Sequence, residues 1–118
     1  MKKITKKPLI DPIIQEFLDV LWLEDGLSQN TLQAYQRDLV ALVQFLSFNQ
    51  QGLLTCTEEI LQNYIISRHH ETKASSANRR LTVFKRFFRW ANREHKMALD
   101  PTLRIDAAKQ DLRLPKSV

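Results

Sequence analysis

Residues 75–96 read SSANRRLTVFKRFFRWANREHK, and this stretch decides the fold. Set out at about 100° per residue, it separates into two faces. Ala77, Leu81, Val83, Phe84, Phe87, Phe88, Trp90 and Ala91 fill one broad side. Arg79, Lys85, Arg86, Arg89, Arg93 and Lys96 fall within a sector of roughly 120° on the other, with Asn78 and Thr82 among them. Apolar residues recurring at i, i+3, i+4 and i+7 specify an amphipathic helix, and the aromatic rings mark its inner side as core. Arg80 falls among the apolar positions near the start, where its stem can run along the core and its head reach off the end. Ser75 or Ser76 is the expected cap, and the helix is expected to run to about Lys96.

Working outward, three more helices precede this one. Asp11-Pro12 is a helix start, an Asp cap followed by Pro at the first helical position. Ile13, Ile14, Phe17, Leu18 and Leu21 make its apolar stripe, and Gly26 suits a left-handed stop with Leu27 folding back. Ser28 caps a second helix whose stripe is Leu32, Tyr35, Leu39, Leu42, Val43 and Leu46, closed by Gly52. Thr55 with Glu58 has capping-box spacing, and Thr57 is the alternative cap. The third helix carries Ile60, Leu61, Tyr64 and Ile65, and a polar turn from Glu71 to Ala74 follows. Asp100-Pro101 marks a further turn, because the residue before Pro avoids helical geometry. The expected organisation is a basic flexible lead over 1–10, one helical domain over 11–100, and a linker over 101–118 toward a further C-terminal domain.

Composition agrees. The 118 residues are 43% hydrophobic and include only two Gly and four Pro, too few for the tight turns of a sheet-rich fold. The length is that of one domain and needs no disulfide or metal staple. The single cysteine, Cys56, reads as a small buried hydrophobe. No run approaches the ~20 apolar residues of a membrane span, and no apolar stretch of a secretory signal follows Met1-Lys2-Lys3. An intracellular, cytoplasmic protein without a membrane partner is the expectation.

Charge is distributed unevenly. The whole chain carries +5, yet residues 68–96 hold nine bases and two acids, a net +7. Residues 11–25 hold five acids, Asp11, Glu16, Asp19, Glu24 and Asp25, and no base. Such asymmetry points to a polyanionic partner. A helix with one basic face suits the major groove of duplex DNA, with Arg and Lys on phosphates and Asn, Thr or Gln at base edges. The start of the second helix is a second candidate contact: Ser28, Gln29, Asn30, Thr31 and Gln33 surround a positive helix terminus, although ordinary capping accounts for them too.

Catalytic constellations are lacking. His69 and His70 are adjacent and diverge on a helix, and His95 stands apart. Cys56 has no second Cys for a zinc motif, and Gly26 and Gly52 are too far apart for a phosphate loop. Tyr35 and Tyr64 sit in apolar stripes, and the pairs Glu24-Asp25 and Glu58-Glu59 read as helix-end charges. Neither metal, cofactor nor small-molecule substrate is expected.

Two motifs carry a family resemblance. Residues 23–39, LEDGLSQNTLQAYQRDL, resemble the first signature of the N-terminal domain of Xer-type tyrosine recombinases, and residues 75–88, SSANRRLTVFKRFF, resemble the second. Arg113-Leu114-Pro115-Lys116 is similar to the junction into the catalytic domain. Phe17-Leu18-Asp19 followed by Leu21-Trp22-Leu23-Glu24 is closer to the XerD branch of the family than to the XerC branch. The resemblance implies an all-α, orthogonal four-helix bundle, the SAM-like core-binding domain, whose second and fourth helices face the DNA. By matching position it assigns contact roles to Asn30, Thr31, Gln33, Arg37, Lys73, Ser75, Ser76, Arg79, Arg80 and Arg86, which join Lys85, Arg89 and Arg93 of the basic face. It also implies double-stranded DNA at a dif-type site, XerC-like partner protomers in a tetrameric synapse, and a role in chromosome dimer resolution. The family's catalytic residues belong to a C-terminal domain, so this chain is expected to bind DNA without cutting it. A phage or integron integrase domain is the nearest alternative, and a helical protein-interaction module using acidic residues 11–25 is the alternative of another class.

Overall fold

The computed structural model describes residues 11–69 and 73–105. The basic lead, the turn at Glu71 and the segment containing Arg113 to Lys116 lie outside the described residues. The described residues form four α-helices, α1 (Pro12–Val20), α2 (Gln29–Phe48), α3 (Glu58–His69) and α4 (Ala74–Arg93), and no strand. They divide into two compact units, Met1–Ala41 and Leu42–Val118, so that α2 contributes to both.

In the first unit Asp11 caps α1 as its sequence predicts: its Oδ1 accepts from the Ile13 N–H at 3.1 Å, and Pro12 opens the helix. Ile14, Phe17, Leu18 and Leu21 are buried, as are Tyr35, Asp38 and Leu39 of α2. The chain does not leave α1 directly. Leu21–Asp25 winds into one π-helical turn, which ends at Gly26 with φ +65°. The left-handed glycine stop is as expected; the wider turn before it is not visible in the 3.6-residue pattern. Trp22 and Leu23 point outward there, 50% and 78% exposed.

In the second unit the core is aromatic. Tyr64 lies between Phe45 (ring centroids 5.0 Å) and Phe84 (6.0 Å). Phe87 meets Phe88 edge-on at 5.1 Å and Trp90 at 5.8 Å. Phe84, Phe87 and Phe88 are fully buried, and such pairs add about 0.5–1.5 kcal/mol each beyond their burial. Cys56 is buried too, and desolvation pushes its thiol up to about 12, so it carries no thiolate near neutral pH.

Several helix ends depart from expectation. Gly52 does not close α2. Gln50, at φ +59°, takes the left-handed position, with Gln51 N–H on the Leu46 carbonyl (2.9 Å) and Gln50 N–H on that of Ser47 (3.0 Å). α4 ends the same way: His95 has φ +62°, with Lys96 N–H on Ala91 O (2.8 Å) and His95 N–H on Asn92 O (3.0 Å). These are Schellman closures built on residues other than glycine, and α4 stops at Arg93 rather than Lys96. Gly52 is extended and opens a short 3-10 turn over Leu53–Thr55, which holds the Thr55 hydroxyl by the Gly52 N–H (2.9 Å). Thr57 is therefore the cap of α3, its Oγ1 accepting from Ile60 N–H at 3.3 Å. At the start of α4 neither serine caps: the Ala77 N–H bonds to the Lys73 carbonyl (2.9 Å), so Lys73 is the cap and Ser75 and Ser76 lie in the first turn. Alanine at position 74 favours helix, which begins two residues earlier than a Ser75 cap would give.

The expected linker also starts late. Asp100 Oδ1 accepts from both the N–H (2.8 Å) and the hydroxyl (2.6 Å) of Thr102, a side-chain-closed turn. Thr102 is 1% and Ile105 4% exposed, so residues 101–105 belong to the folded body.

Candidate nucleic-acid interface

The periodicity of α4 places its side chains as read. Leu81, Val83, Phe84, Phe87, Phe88, Trp90 and Ala91 are buried, while Asn78, Thr82, Arg89 and Arg93 are exposed and Arg79, Lys85 and Arg86 half-buried. Ala77, at the end of the helix, is half-buried rather than covered. The helix thus presents arginines at 79, 86, 89 and 93 along one side, opposite three phenylalanines. Among the described residues Arg93 has Glu94 within reach at 3.8 Å, and with the two side chains 62% and 50% exposed the attraction is weak.

Two cations of this helix and Lys96 just beyond its end are placed differently. Arg80 is buried, 8% exposed, because it lies one turn before Phe84 on the inner side. A guanidinium there does not stand on the outer face. Lys85 donates from Nζ to the carbonyl of Thr102 at 2.9 Å. Lys96 sits with Nζ 5.5 Å from the centre of the Trp90 ring, a cation–π contact. The helical wheel already sets Arg80 among the apolar positions, whereas the partners of Lys85 and Lys96 depend on the tertiary fold and leave no signal in it. Lys73, Ser75 and Ser76 gather at the first turn of α4, the first two exposed.

The second candidate contact lies in the other unit. Asn30, Gln33 and Arg37 are exposed on α2, and Thr31 is half-buried. Ser28 is an ordinary cap: its Oγ accepts from Thr31 N–H at 3.2 Å and donates to Thr31 Oγ1 at 3.1 Å. Its hydroxyl is thereby occupied, and Asn30 and Gln33 remain the outward polar groups of the first turns. Beside them runs a groove of about 370 Å³ lined by Gln15, Asp19, Trp22, Gln29, Gln33 and Gln36 with Leu18 and Leu32 beneath. The sequence gives no sign of this group of carboxamides, because Gln15 and Gln29 belong to different helices.

Among the described residues no group of three or more His, Cys, Asp or Glu side chains converges as a metal site would require. None of the described helices is long and apolar enough to cross a membrane.

The described residues form an all-helical fold, and comparison with known proteins gives the family it belongs to. Residues 14–95 match the phage integrase N-terminal SAM-like domain, and the chain belongs to that family. Among curated proteins it is similar to the tyrosine recombinase XerD of Ralstonia nicotianae, at 50% identity over 105 residues, 89% of this chain and 34% of that protein. It is 42% identical to XerD of Proteus mirabilis over 109 residues and 38% identical to XerD of Yersinia pestis over 109 residues, in each case 92% of this chain. The chain spans about a third of the length of these relatives.

Proposed function

We propose that this chain is the core-binding domain of a XerD-like site-specific tyrosine recombinase and that it grips duplex DNA. The observation that carries the reading is the outer side of α4, where Arg79, Arg86, Arg89 and Arg93 follow one another opposite a closed aromatic core. In this reading the arginines meet phosphates, and Lys73, Ser75 and Ser76 add donors at the first turn. On α2, Asn30, Thr31, Gln33 and Arg37 form the second contact. Arg80 acts from inside by fixing the helix start. Cleavage and rejoining belong to a catalytic domain that the relatives' greater length accommodates. A dif-type site, XerC-like partner protomers in a tetrameric synapse, chromosome dimer resolution and action in the cytoplasm complete the proposal at the level of the whole protein.

If Arg79, Arg86, Arg89 and Arg93 each neutralise one phosphate, log K falls with log salt at a slope of about −3.6, and affinity drops about 150-fold between 50 and 200 mM salt. Fluorescence anisotropy on a dif-type half-site and on a scrambled duplex, across that range, tests this. Tighter binding to the half-site supports a domain that reads sequence itself. Equal, salt-sensitive binding keeps the grip on DNA and moves site choice elsewhere. No binding to either duplex at low salt overturns the proposal. A helical interaction module would then be the better reading, since Trp22 and Leu23 stand exposed among acidic residues 11–25.

A further inference from the structure

The turn that follows α4 is tied back to the second unit at three separate points. Asn92 donates from Nδ2 to the carbonyls of Met97 (3.1 Å) and Ala98 (3.0 Å) and holds its beginning. Arg104 meets Glu58 Oε1 through Nε (3.2 Å) and an Nη (3.1 Å) and holds its end to the first turn of α3. The middle tie is Lys85 to Thr102, seventeen residues apart in sequence. Thr102 is itself fixed by two hydrogen bonds to the buried Asp100 carboxylate. The accepting carbonyl is therefore rigid, and the ammonium that reaches it comes from the side of α4 that carries Arg86 and Arg89. A lysine that served only as a phosphate ligand would gain nothing from this partner, because a surface ammonium is well solvated and freely mobile.

We propose that Lys85 is a positioning residue and not a phosphate ligand. Its ammonium is committed to Thr102, and it sets the point from which the chain leaves α4, so that whatever follows Ile105 starts at a fixed place relative to the arginines. This rests on the reading of α4 as a DNA-contacting helix, but the hydrogen bond itself does not. The arrangement converts a cation of the basic face into the link between that face and the exit of the chain. Arg104 is 79% exposed where it meets Glu58, so its tie is the most screened by solvent of the three.

The test compares the parent chain with Lys85→Met, which keeps the aliphatic stem, Lys85→Arg, which keeps a charged donor, and Arg89→Ala. Amide hydrogen exchange is followed at Thr102, Leu103 and Ile105, and duplex affinity is measured against salt. Lys85→Met is expected to speed exchange at those three amides about tenfold or more, since a hydrogen bond from a charged donor is lost, while the amides around Phe84 and Phe88 keep their protection. Lys85→Arg is expected to restore the parent rates within about threefold. The salt slope of Lys85→Met should stay within about 0.3 of the parent, whereas Arg89→Ala lowers it by about one. Unchanged exchange in Lys85→Met, or a slope lowered as far as in Arg89→Ala, overturns the assignment. If Lys85→Met does not fold, Lys85→Gln is read by the same criteria. Absence of duplex binding in the parent itself defeats the DNA reading of α4, and the exchange rates still decide whether Lys85 holds the turn.

Discussion

Replacing Phe88 by alanine probes the rotation of α4, on which every assignment of its outer side depends. The ring is fully buried and lies edge-on to Phe87 at 5.1 Å. Truncating a buried phenylalanine costs about 3–5 kcal/mol through lost transfer energy and the cavity left behind. The aromatic pair accounts for about 0.5–1.5 kcal/mol of that loss. A total near 4 kcal/mol is a large share of the roughly 5–15 kcal/mol that stabilises a native domain. For a chain of this size it corresponds to a fall in Tm of about 12–20 °C. Urea melts followed by far-ultraviolet circular dichroism measure it, with Arg89→Ala as the matched control on the opposite side. Arg89 is exposed, so its substitution should cost less than about 0.5 kcal/mol. A Phe88→Ala melt within 1 kcal/mol of the parent, or a larger loss in Arg89→Ala, means that α4 is turned otherwise and that its basic side is not the outer one.

Further outcomes follow from particular residues. Arg86→Ala and Arg89→Ala should each lower the salt slope of duplex binding by about one, and two unchanged slopes remove α4 from the interface. Cys56 should resist a thiol reagent at pH 8 in the folded chain and react at least a hundredfold faster in urea; equal rates would mean the thiol is not buried. Its folded value, raised by desolvation from 9.0 to about 12, means that the native state holds the proton longer than the unfolded one. That contribution to stability is complete below pH 9 and is lost between pH 9 and 12, leaving neutral pH unaffected. Gln50→Gly and His95→Gly relieve left-handed backbone at φ +59° and +62°, and each should raise stability by about 0.5 kcal/mol, net of the greater freedom of glycine in the unfolded chain. A loss on both substitutions would show that the side chains at these positions contribute more than the backbone costs.

Much of the fold is legible in the sequence because helical periodicity and capping are local. Asp11-Pro12, Gly26 and Ser28 mark real boundaries, and the inner side of α4 is read correctly from its aromatics alone. The departures share one physical origin, which is that their cause is distant in sequence or is backbone geometry with no residue signature. Gln50 and His95 occupy positions where glycine is the usual marker, so nothing in their side chains announces a stop. Thr55 and Thr57 are equally good caps on paper, and only the 3-10 turn at Gly52 decides between them. Asp100 and Thr102 look like a polar linker until their mutual hydrogen bonds explain how both can be buried. The candidate interface was legible to the same degree. Arg86, Arg89 and Arg93 are where a helical wheel puts them, and so is Arg80 on the inner side, whereas Lys85 is engaged by a carbonyl seventeen residues away. Asp38 is buried as well, and a lone acid amid apolar stripes gives no advance notice of that.

The π turn at Leu21–Asp25 gives the first unit a counting property. Bonding from i to i+5 houses one residue more than an α-turn needs, so the segment is over-long by a single residue relative to a regular helix. Such a place absorbs a change in chain length at little cost elsewhere. Shortening it by one residue would let the helix continue in α form and would swing Glu24 and Asp25 about 100° around the axis. Lengthening would have to be accommodated at Gly26, where no atom lies within 4 Å of an added Cβ but the left-handed backbone resists any side chain. The acidic π turn after α1 is thus the point in this unit where a one-residue insertion or deletion re-aims a charged surface while the caps on either side, Asp11 and Ser28, stay in register with their own helices.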